Sequence, residues 1–289
     1  MRRVVVESPG LLATVQDLGR PGYGLQGVSR AGAADALALR IGNRLLRNAE
    51  GAAAIEMTLT GGRFVFPEGA EIALTGAAEG YSVQRIAPGE TLRLGSFVHG
   101  ARGYLCVRGG LAVPRIASSA STHLLSGLGG GPLRKGEVLP IGPAHGEIAD
   151  GAAPMALRTY SKELRVTRGP QADWFDCDRF AQGEYEVSTE SNRMGLRLTG
   201  EPIVSSHDGQ MVTEGVALGA IQVPAGGQPI LLFVDQQTTG GYPKIANVIT
   251  ADLPSVGQLR PRDRIRFQFV SPEEALAALR AQEALLACI

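Results

Sequence analysis

The stretch DQQTTGGYPK, residues 235–244, carries more hydrogen-bonding side chains than a structural turn needs. It follows the apolar run PILLFV, which predicts a buried strand from Ile230 to Val234 that delivers Asp235 to its end. Beyond Asp235, backbone N–H groups and hydroxyls can converge on an anion or a carbonyl oxygen, and the residues that would supply them are Thr238, Thr239, Gly240 and Gly241. Tyr242 adds a ring and a hydroxyl, and Lys244 adds a positive charge. A glycine-rich hairpin with a solvent-exposed lysine uses the same residue types, so both interpretations stay open.

Three further polar stretches could contribute to such a site. In ESNRMGLRLTG, residues 190–200, the Asn192 amide can form paired hydrogen bonds and the Arg193 guanidinium can grip a carboxylate. The alternative there is an Asx-turn beside a surface arginine. In QDLGRPGYGLQGVSRAGAAD, residues 16–35, three side chains could line a cleft or only cap and turn the chain: Gln16, Asp17 and Ser29. Arg108 follows a predicted strand and precedes two glycines.

The composition argues against several classes of function. Lys plus Arg and Asp plus Glu number 28 each, without a long basic run, so a nucleic-acid partner is not expected. The three cysteines and four histidines are widely spaced, which favours reduced thiols in a cytoplasmic protein and no metal site. The glycine-rich stretch at residues 127–137, GLGGGPLRKGE, lacks the G-K-[ST] ending of a phosphate-binding loop. No stretch of the sequence approaches the ~20 apolar residues of a membrane span.

The elements that must position these residues are mainly strands. Short apolar runs alternate with breakers throughout the chain, which holds 39 glycines and 17 prolines. Helices are few. Asp35 is the expected cap of a helix in DALALRIGNRLLRN, and Ser271 with Glu274 predicts a capping box at the start of a C-terminal helix. The leucines of that last helix share one face, which predicts a packing element.

The domain organisation follows from one weakly periodic stretch. Residues 148–162 are rich in Gly, Ala and Pro, which indicates a linker. The linker would separate an N-terminal β domain, residues 1–147, from a C-terminal β-barrel domain with a terminal helix, residues 163–289. We therefore expect a mainly β fold with two barrel-like or sandwich-like halves and a few short helices.

Together these phrases resemble the family of 5-oxoprolinase C subunits and KipA proteins, of the allophanate hydrolase subunit 2 type. The same module forms the second half of the carboxyltransferase region in urea carboxylase. The resemblance runs from TVQDLGRPGYGLQGVSRAGAADALALRIGNRLL through AAIEMTLTGGRFVF, GYLCVRGGLAVP, SNRMGLRLTG and EGVALGAIQVPAGGQPILL to DQQTTGGYPKIANVITADL. It covers roughly residues 10–268, nearly the whole chain.

The chain departs from the family pattern at several positions. Gln236 stands where the family usually has an arginine, in D-R-Q-T-T-G-G-Y-P-K. Ala120, in SSAST, replaces the arginine of G-S-R-S-T. Arg30 and Ala34 alter the P-S-G-A-M-D phrase, which is SRAGAAD here. Losing two cations weakens the expectation that this chain binds the family's usual anion.

The resemblance implies a two-domain, cyclophilin-like β-barrel architecture and a complex with a KipI-like B subunit and an A-type subunit. Such a complex hydrolyses ATP, which a partner subunit can hold, and opens the lactam 5-oxoproline to glutamate. Two alternatives stay open: a carboxyltransferase subunit of a biotin-dependent urea or amide carboxylase, and a KipA-type regulator that binds a KipI-like kinase inhibitor without catalysis. We favour the lactam hydrolase because polar, glycine-rich loops suit a small-molecule site and the chain lacks a biotin-attachment phrase.

The resemblance and the loops together nominate the site residues. Lys244 and backbone N–H groups would stabilise charge on the lactam or ureido oxygen, as in an oxyanion hole. Tyr242 completes the catalytic set, Asp235 would position Tyr242 or Gln236, and Arg193 would hold the substrate carboxylate. The other substrate-binding candidates are Asn192, Gly195, Gln222, Gln237, Thr238, Thr239, Gly240, Gly241, Arg108 and Ser29.

Overall fold

Short β-branched and aromatic runs between turns build eighteen strands and four α-helices in the part of the chain that the computed structural model describes. The described residues are 2–78, 81–146, 148, 157, 159–207 and 211–289. Contacts between Cα atoms divide the chain into two compact units, which we call the sandwich unit and the barrel unit. The sandwich unit comprises Met1–Arg20, Ala31–Thr159 and Ala284–Ile289, and the barrel unit comprises Pro21–Arg30 and Tyr160–Glu283.

The sandwich unit contains two antiparallel sheets. Its strands are β1 (Arg3–Ser8), β2 (Ala13–Gln16), β3 (Ala54–Thr58), β4 (Arg63–Phe66), β5 (Ala70–Gly76), β6 (Val83–Ile86), β7 (Glu90–Arg93), β8 (Arg102–Val107) and β9 (Val138–Pro140). One sheet has the order β7-β4-β1-β9 and the other β2-β3-β8-β5-β6. Alternate residues of both sheets, such as Val6, Ile55, Phe64 and Leu105, form one shared apolar core.

The first helix covers the other face of the five-stranded sheet. α1 (Ala36–Leu45) begins at Asp35, whose carboxylate accepts a hydrogen bond from the Ala38 N–H at 2.8 Å. This confirms the predicted cap. The apolar side of α1 forms a second core with sheet residues that alternate with those of the first core, including Tyr104 and Cys106.

The barrel unit is built around a closed, seven-stranded barrel of order β10-β17-β14-β15-β12-β11-β18. The strands of this unit are β10 (Glu163–Arg168), β11 (Tyr185–Val187), β12 (Gly195–Thr199), β13 (Glu214–Gly215), β14 (Ala220–Gln222), β15 (Ile230–Leu232), β16 (Thr239–Gly240), β17 (Lys244–Val248) and β18 (Arg264–Phe269). Closure comes from a parallel pairing of β10 with β18, whereas the other barrel pairs are antiparallel. β13 and β16 form a separate two-stranded ladder.

Three helices accompany the barrel strands: α2 (Cys177–Gln182), α3 (Leu253–Gln258) and α4 (Pro272–Ala287). Phe180 of α2 stacks on Phe267 of β18, with ring centroids 4.8 Å apart. At the start of α4, the Ser271 N–H donates to the Glu274 carboxylate at 2.7 Å and the Glu274 N–H donates to the Ser271 hydroxyl at 3.1 Å. The predicted capping box is therefore confirmed.

The packing face predicted for α4 is wrong over most of its length. Among its described residues only Leu286 is buried, and Leu276 is 47% exposed. The helix is specified by its cap and by helix-forming residues such as Ala, Leu, Glu and Gln, which need no apolar partner to favour helical backbone. None of the described helices combines the length and the apolar character that a membrane crossing requires.

The predicted mainly β fold with few helices is confirmed, with a closed barrel in one unit and two packed sheets in the other. The units are not the two continuous halves that the sequence offered, because residues 21–30 group with the later part of the chain and 284–289 with the earlier part. Most of the predicted linker, residues 148–162, lies outside the described residues.

Candidate functional site

Two neighbouring barrel strands bring the Asn192 and Asp235 loops together. β12 pairs with β15 in antiparallel register, Gly195 opposite Leu232. The ladder continues beyond the strands, because the Phe233 N–H donates to the Met194 carbonyl at 2.9 Å and the Asp235 N–H donates to the Arg193 carbonyl at 2.8 Å. β15 itself ends at Leu232, two residues before the predicted end. The residues after it stay buried as far as Asp235.

Arg193 and Asp235 form a buried, bidentate ion pair. The Asp235 carboxylate accepts from Nε at 2.8 Å and from Nη2 at 3.1 Å, and the two side chains are 6% and 3% exposed. Arg193 was expected to hold a substrate carboxylate, and Asp235 was expected to position Tyr242 or Gln236. The structure instead commits both groups to each other, an arrangement that fixes two loops rigidly. Sequence spacing could not reveal a pair that is 42 residues apart.

Lys244 is a buried ammonium group at the first residue of β17. Its side chain is 5% exposed, and Nζ lies 2.6 Å from a carboxylate oxygen of Glu214. Nζ also contacts the Tyr242 carbonyl oxygen at 3.3 Å and the Met211 sulfur at 3.6 Å. The hydrogen bond from Lys244 lowers the pKa of Glu214 below its ordinary value.

Two of the lysine partners, Glu214 and Met211, come from a short segment that sequence reasoning missed. Residues 211–216, which we call the strap, include β13 and run alongside β16. The strap is held by the Lys244–Glu214 ion pair and by hydrogen bonds from the Met211 N–H to the Gly241 carbonyl and from the Val216 N–H to the Thr238 carbonyl. Glu214 stands outside any apolar periodicity, so its sequence context carries no signal of this contact.

Gln222 lies directly opposite Lys244. The two residues are cross-strand partners in the β14–β17 ladder, where a bulge shifts the register. Directly opposed residues project from the same face of a sheet, so the Gln222 amide and the lysine stem share one face. Gln222 is 1% exposed. A methyl group on Gly240 would lie 2.5 Å from Gln222 Nε2, which shows how closely the glycine backbone approaches this amide.

The proposed cradle of N–H groups at residues 238–241 is not present in that form. Thr239 and Gly240 belong to β16, and neither Gly240 nor Gly241 has a positive φ. A nest of converging N–H groups needs alternating right- and left-handed backbone. Here the carbonyl groups of Thr238 and Gly241 accept hydrogen bonds from the strap instead. Gly240 is therefore needed for close approach rather than for unusual dihedral angles.

The remaining candidates vary in position. Tyr242 is 43% exposed, and Gln237 and Thr239 are exposed as well. Asn192 forms the Asx-turn of the alternative interpretation, because its side-chain oxygen accepts from the Met194 N–H at 2.8 Å. The Ser29 hydroxyl donates to the Val234 carbonyl at 3.2 Å, which places it beside the Asp235 loop.

Other sequence candidates belong to the sandwich unit. Arg108 forms an ion pair with Glu71 at 2.6 Å, within that unit. Asp17 is buried and accepts hydrogen bonds from the hydroxyls of Ser119 and Ser121 at 2.6 Å each. It also accepts from the N–H of Ala120, one of the positions that depart from the family pattern. Asp17 therefore stabilises a turn, which was the structural alternative to lining a cleft for residues 16–35.

The glycine-rich stretch 127–137 differs from a phosphate-binding loop in the element that follows it. It leads into β9 rather than into a helix, and Lys135 within it is exposed. A phosphate loop needs a helix N-terminus or a set of converging N–H groups. The described residues after this stretch therefore do not supply the helix N-terminus of a phosphate-binding loop.

Comparison with known proteins now places the chain among its relatives. Residues 26–269 match the family model described as carboxyltransferase domain, subdomain A and B. Over 95% of its length, the chain is 38% identical to the C subunits of 5-oxoprolinase from Haemophilus influenzae and from Escherichia coli strain K12, covering 93% of each. The crystal structure of Kluyveromyces lactis urea carboxylase superposes with a TM-score of 0.92 at 29% identity, over 98% of this chain and 29% of that one. The chain belongs to the carboxyltransferase domain, subdomain A and B, family.

Proposed function

We propose that this chain is the C subunit of an ATP-dependent 5-oxoprolinase complex that opens 5-oxoproline to glutamate. The observation that carries the proposal is the match to two 5-oxoprolinase C subunits across nearly the full length of both proteins. Its partners would be a KipI-like B subunit and an A-type subunit. We propose that a partner subunit holds ATP; the glycine-rich stretch of this chain leads into a strand and not into a helix N-terminus.

The barrel unit supplies groups suited to a lactam. Opening the ring requires negative charge to develop on the lactam oxygen, and a buried cation stabilises such charge more strongly than an exposed one. Lys244 is that cation, 5% exposed. Glu214 neutralises it in this structure, so we propose that the substrate oxygen takes the place of the Glu214 carboxylate. Tyr242, a residue that is 43% exposed, is the candidate proton donor to the departing nitrogen.

We assign this activity to the cytoplasm. A complex that consumes ATP must work where ATP is supplied. The three cysteines are free, and burial raises the pKa of the Cys106 thiol to about 12, so this group stays protonated and unreactive. Free thiols agree with a reducing compartment.

Phosphate release and glutamate formation by the assembled complex test the proposal. We expect both to depend on 5-oxoproline and to fall on the order of 10²- to 10³-fold in Lys244→Met, the loss typical of removing one oxyanion-stabilising donor. Lys162→Met is the matched control, because this lysine lies in the same unit and is 62% exposed. Normal turnover in Lys244→Met would remove the lysine from the mechanism. A complex that forms but whose phosphate release does not depend on 5-oxoproline would show that 5-oxoproline is not the substrate.

A second function has its own support in the similarity to urea carboxylase. In that case the chain would be the carboxyltransferase subunit of a biotin-dependent urea or amide carboxylase, and the acceptor would again present an amide or ureido group. Carboxyl transfer to urea by the complex, without dependence on 5-oxoproline, would favour this function. A complex with a KipI-like protein that catalyses neither reaction would favour a KipA-type regulator.

A further inference from the structure

Two glutamine side chains of the barrel unit carry polar atoms that the rest of the described chain does not satisfy. Gln222 Nε2 and Gln236 Oε1 are both buried and have no hydrogen-bonding partner among the described residues. Leaving such an atom unpaired is costly, so native proteins retain few of them. The first atom is a donor and the second is an acceptor.

The two amides border the same small region. Gln222 Nε2 faces Gly240, and a side-chain methyl of Val216 lies 3.2 Å from where a Gly240 Cβ would be. Gln236 donates its own amide N–H to the Val216 carbonyl at 3.1 Å. That bond orients the Gln236 amide, so that Nε2 is used and Oε1 remains for another donor. Val216 and Gly240 therefore link the two glutamines.

We propose that Gln222 and Gln236 together recognise the neutral amide unit of the ligand, an N–H group joined to a C=O group. Gln222 donates to the carbonyl oxygen, and Gln236 accepts from the N–H. A lactam and a cyclic urea both present this unit, whereas a lactone has the carbonyl and no N–H. In both cases Lys244, opposite Gln222 on the same face, adds its charge to the carbonyl side. This inference rests on the proposed function and extends it by naming the residues that choose the substrate class.

Access to the amide pair requires only that the strap give way. The ladder between β13 and β16 has two residue pairs, Glu214 with Gly240 and Gly215 with Thr239. Few hydrogen bonds therefore hold the strap over Lys244, and Glu214 is 42% exposed. Segments held by few contacts open at low free-energy cost. Displacement of Glu214 by a ligand would uncover the lysine and both glutamines in one movement.

Binding measured by calorimetry on the assembled complex tests the pair with three ligands: 5-oxoproline, its lactone analogue 5-oxotetrahydrofuran-2-carboxylate, and the cyclic urea 2-imidazolidinone. We expect the wild-type protein to bind the lactam about 10- to 100-fold more tightly than the lactone, because the lactone leaves the buried Gln236 oxygen unpaired. Gln236→Met should remove this preference, because it should weaken the binding of 5-oxoproline and 2-imidazolidinone, which carry an N–H group, and not the binding of the lactone. Gln222→Met should weaken all three.

Gln268→Met, at an exposed glutamine on β18, is the matched control and should change none of the affinities. An unchanged lactam-to-lactone ratio in a folded Gln236→Met protein would overturn the inference, since water would then satisfy that oxygen. If the variants fail to fold, the wild-type protein alone still tests the inference, because equal affinity for lactam and lactone would contradict recognition of the amide unit by the two glutamines.

The ligand panel also separates this inference from the proposed function. If 2-imidazolidinone binds in a glutamine-dependent manner and 5-oxoproline does not bind, the amide pair stands and the 5-oxoprolinase assignment falls. If 5-oxoproline binds with the same affinity whichever glutamine is replaced, the 5-oxoprolinase assignment is supported and recognition by the two glutamines is contradicted. If none of the three ligands binds, both are wrong.

Discussion

The ion pair between Arg193 and Asp235 should be the strongest polar determinant of barrel stability. Asp235→Asn preserves the shape of the side chain but removes one charge of a pair whose members are 6% and 3% exposed. Removing one partner of a buried pair leaves a charge in a poorly solvated site and typically costs about 3–5 kcal/mol. We expect a loss of this size in the free energy of unfolding of Asp235→Asn.

Urea denaturation followed by fluorescence measures this loss. The single tryptophan, Trp174, lies in the barrel unit and reports its unfolding directly. Glu201→Gln is the control, because Glu201 pairs with Arg179 at the surface, where the side chains are 66% and 56% exposed. Exposed pairs contribute at most about 1 kcal/mol. If the two variants lose equal stability, the reasoning from burial is refuted.

A double variant distinguishes the charge from the packing at this site. Arg193→Met combined with Asp235→Leu removes both charges and keeps apolar volume, so it should be more stable than Asp235→Asn alone. A double variant that is less stable would mean that the hydrogen bonds to the two loops, rather than the uncompensated charge, dominate the loss.

Three further outcomes can be checked. Gly240→Ala should weaken 5-oxoproline binding and destabilise the barrel by about 1–3 kcal/mol through overpacking, because the added methyl would lie 2.5 Å from a buried amide nitrogen. Calorimetry and thermal melting measure the two effects. Gly226→Ala is the control, because a methyl group there meets nothing within 4 Å. The hydrogen bond from Lys244 lowers the pKa of Glu214 below its ordinary value, so the ion pair stabilises the strap above that ordinary value and is lost as pH falls through the lower folded pKa. Protection of the strap amides, measured as hydrogen exchange relative to the intrinsic rate at each pH, should therefore fall in acid in the wild-type protein. In Glu214→Gln the protection should be low already at neutral pH, and equal protection in the two proteins at neutral pH would contradict the role of the ion pair. Ser271→Ala should cost about 1 kcal/mol of helix stability, measured as helical circular dichroism on heating, and an unchanged melt would contradict the capping role.

Local structure could be predicted from the sequence because its determinants are local. The Asp35 cap and the capping box at Ser271 each depend on residues three positions apart, and both are present. Alternation along β18 buries Ile265 and Phe267 and exposes the arginines between and before them, as an amphipathic strand should.

The chemistry of the candidate site was harder to predict because it depends on strand register. Arg193 meets Asp235 only because β12 pairs with β15, and Lys244 meets Gln222 only because a bulge shifts β14 against β17. Residue types suggested that the arginine and lysine bind substrate. The structure adds that each already has a carboxylate partner, one buried and one on the strap. Such partners come from distant parts of the chain and leave no periodic pattern.

The closure of the barrel by β10 and β18 has a consequence for biosynthesis. These strands are the first and last of the barrel along the chain, and they pair in parallel between residues 163–166 and 266–269. A ribosome must therefore release almost the entire barrel segment before the ring of strands can close. Until then β10 and β11 each present an open edge, the kind of surface that pairs with other chains and aggregates. Nascent chains stalled before residue 264 should therefore depend most on chaperones, since distant strand pairing is also slow to form.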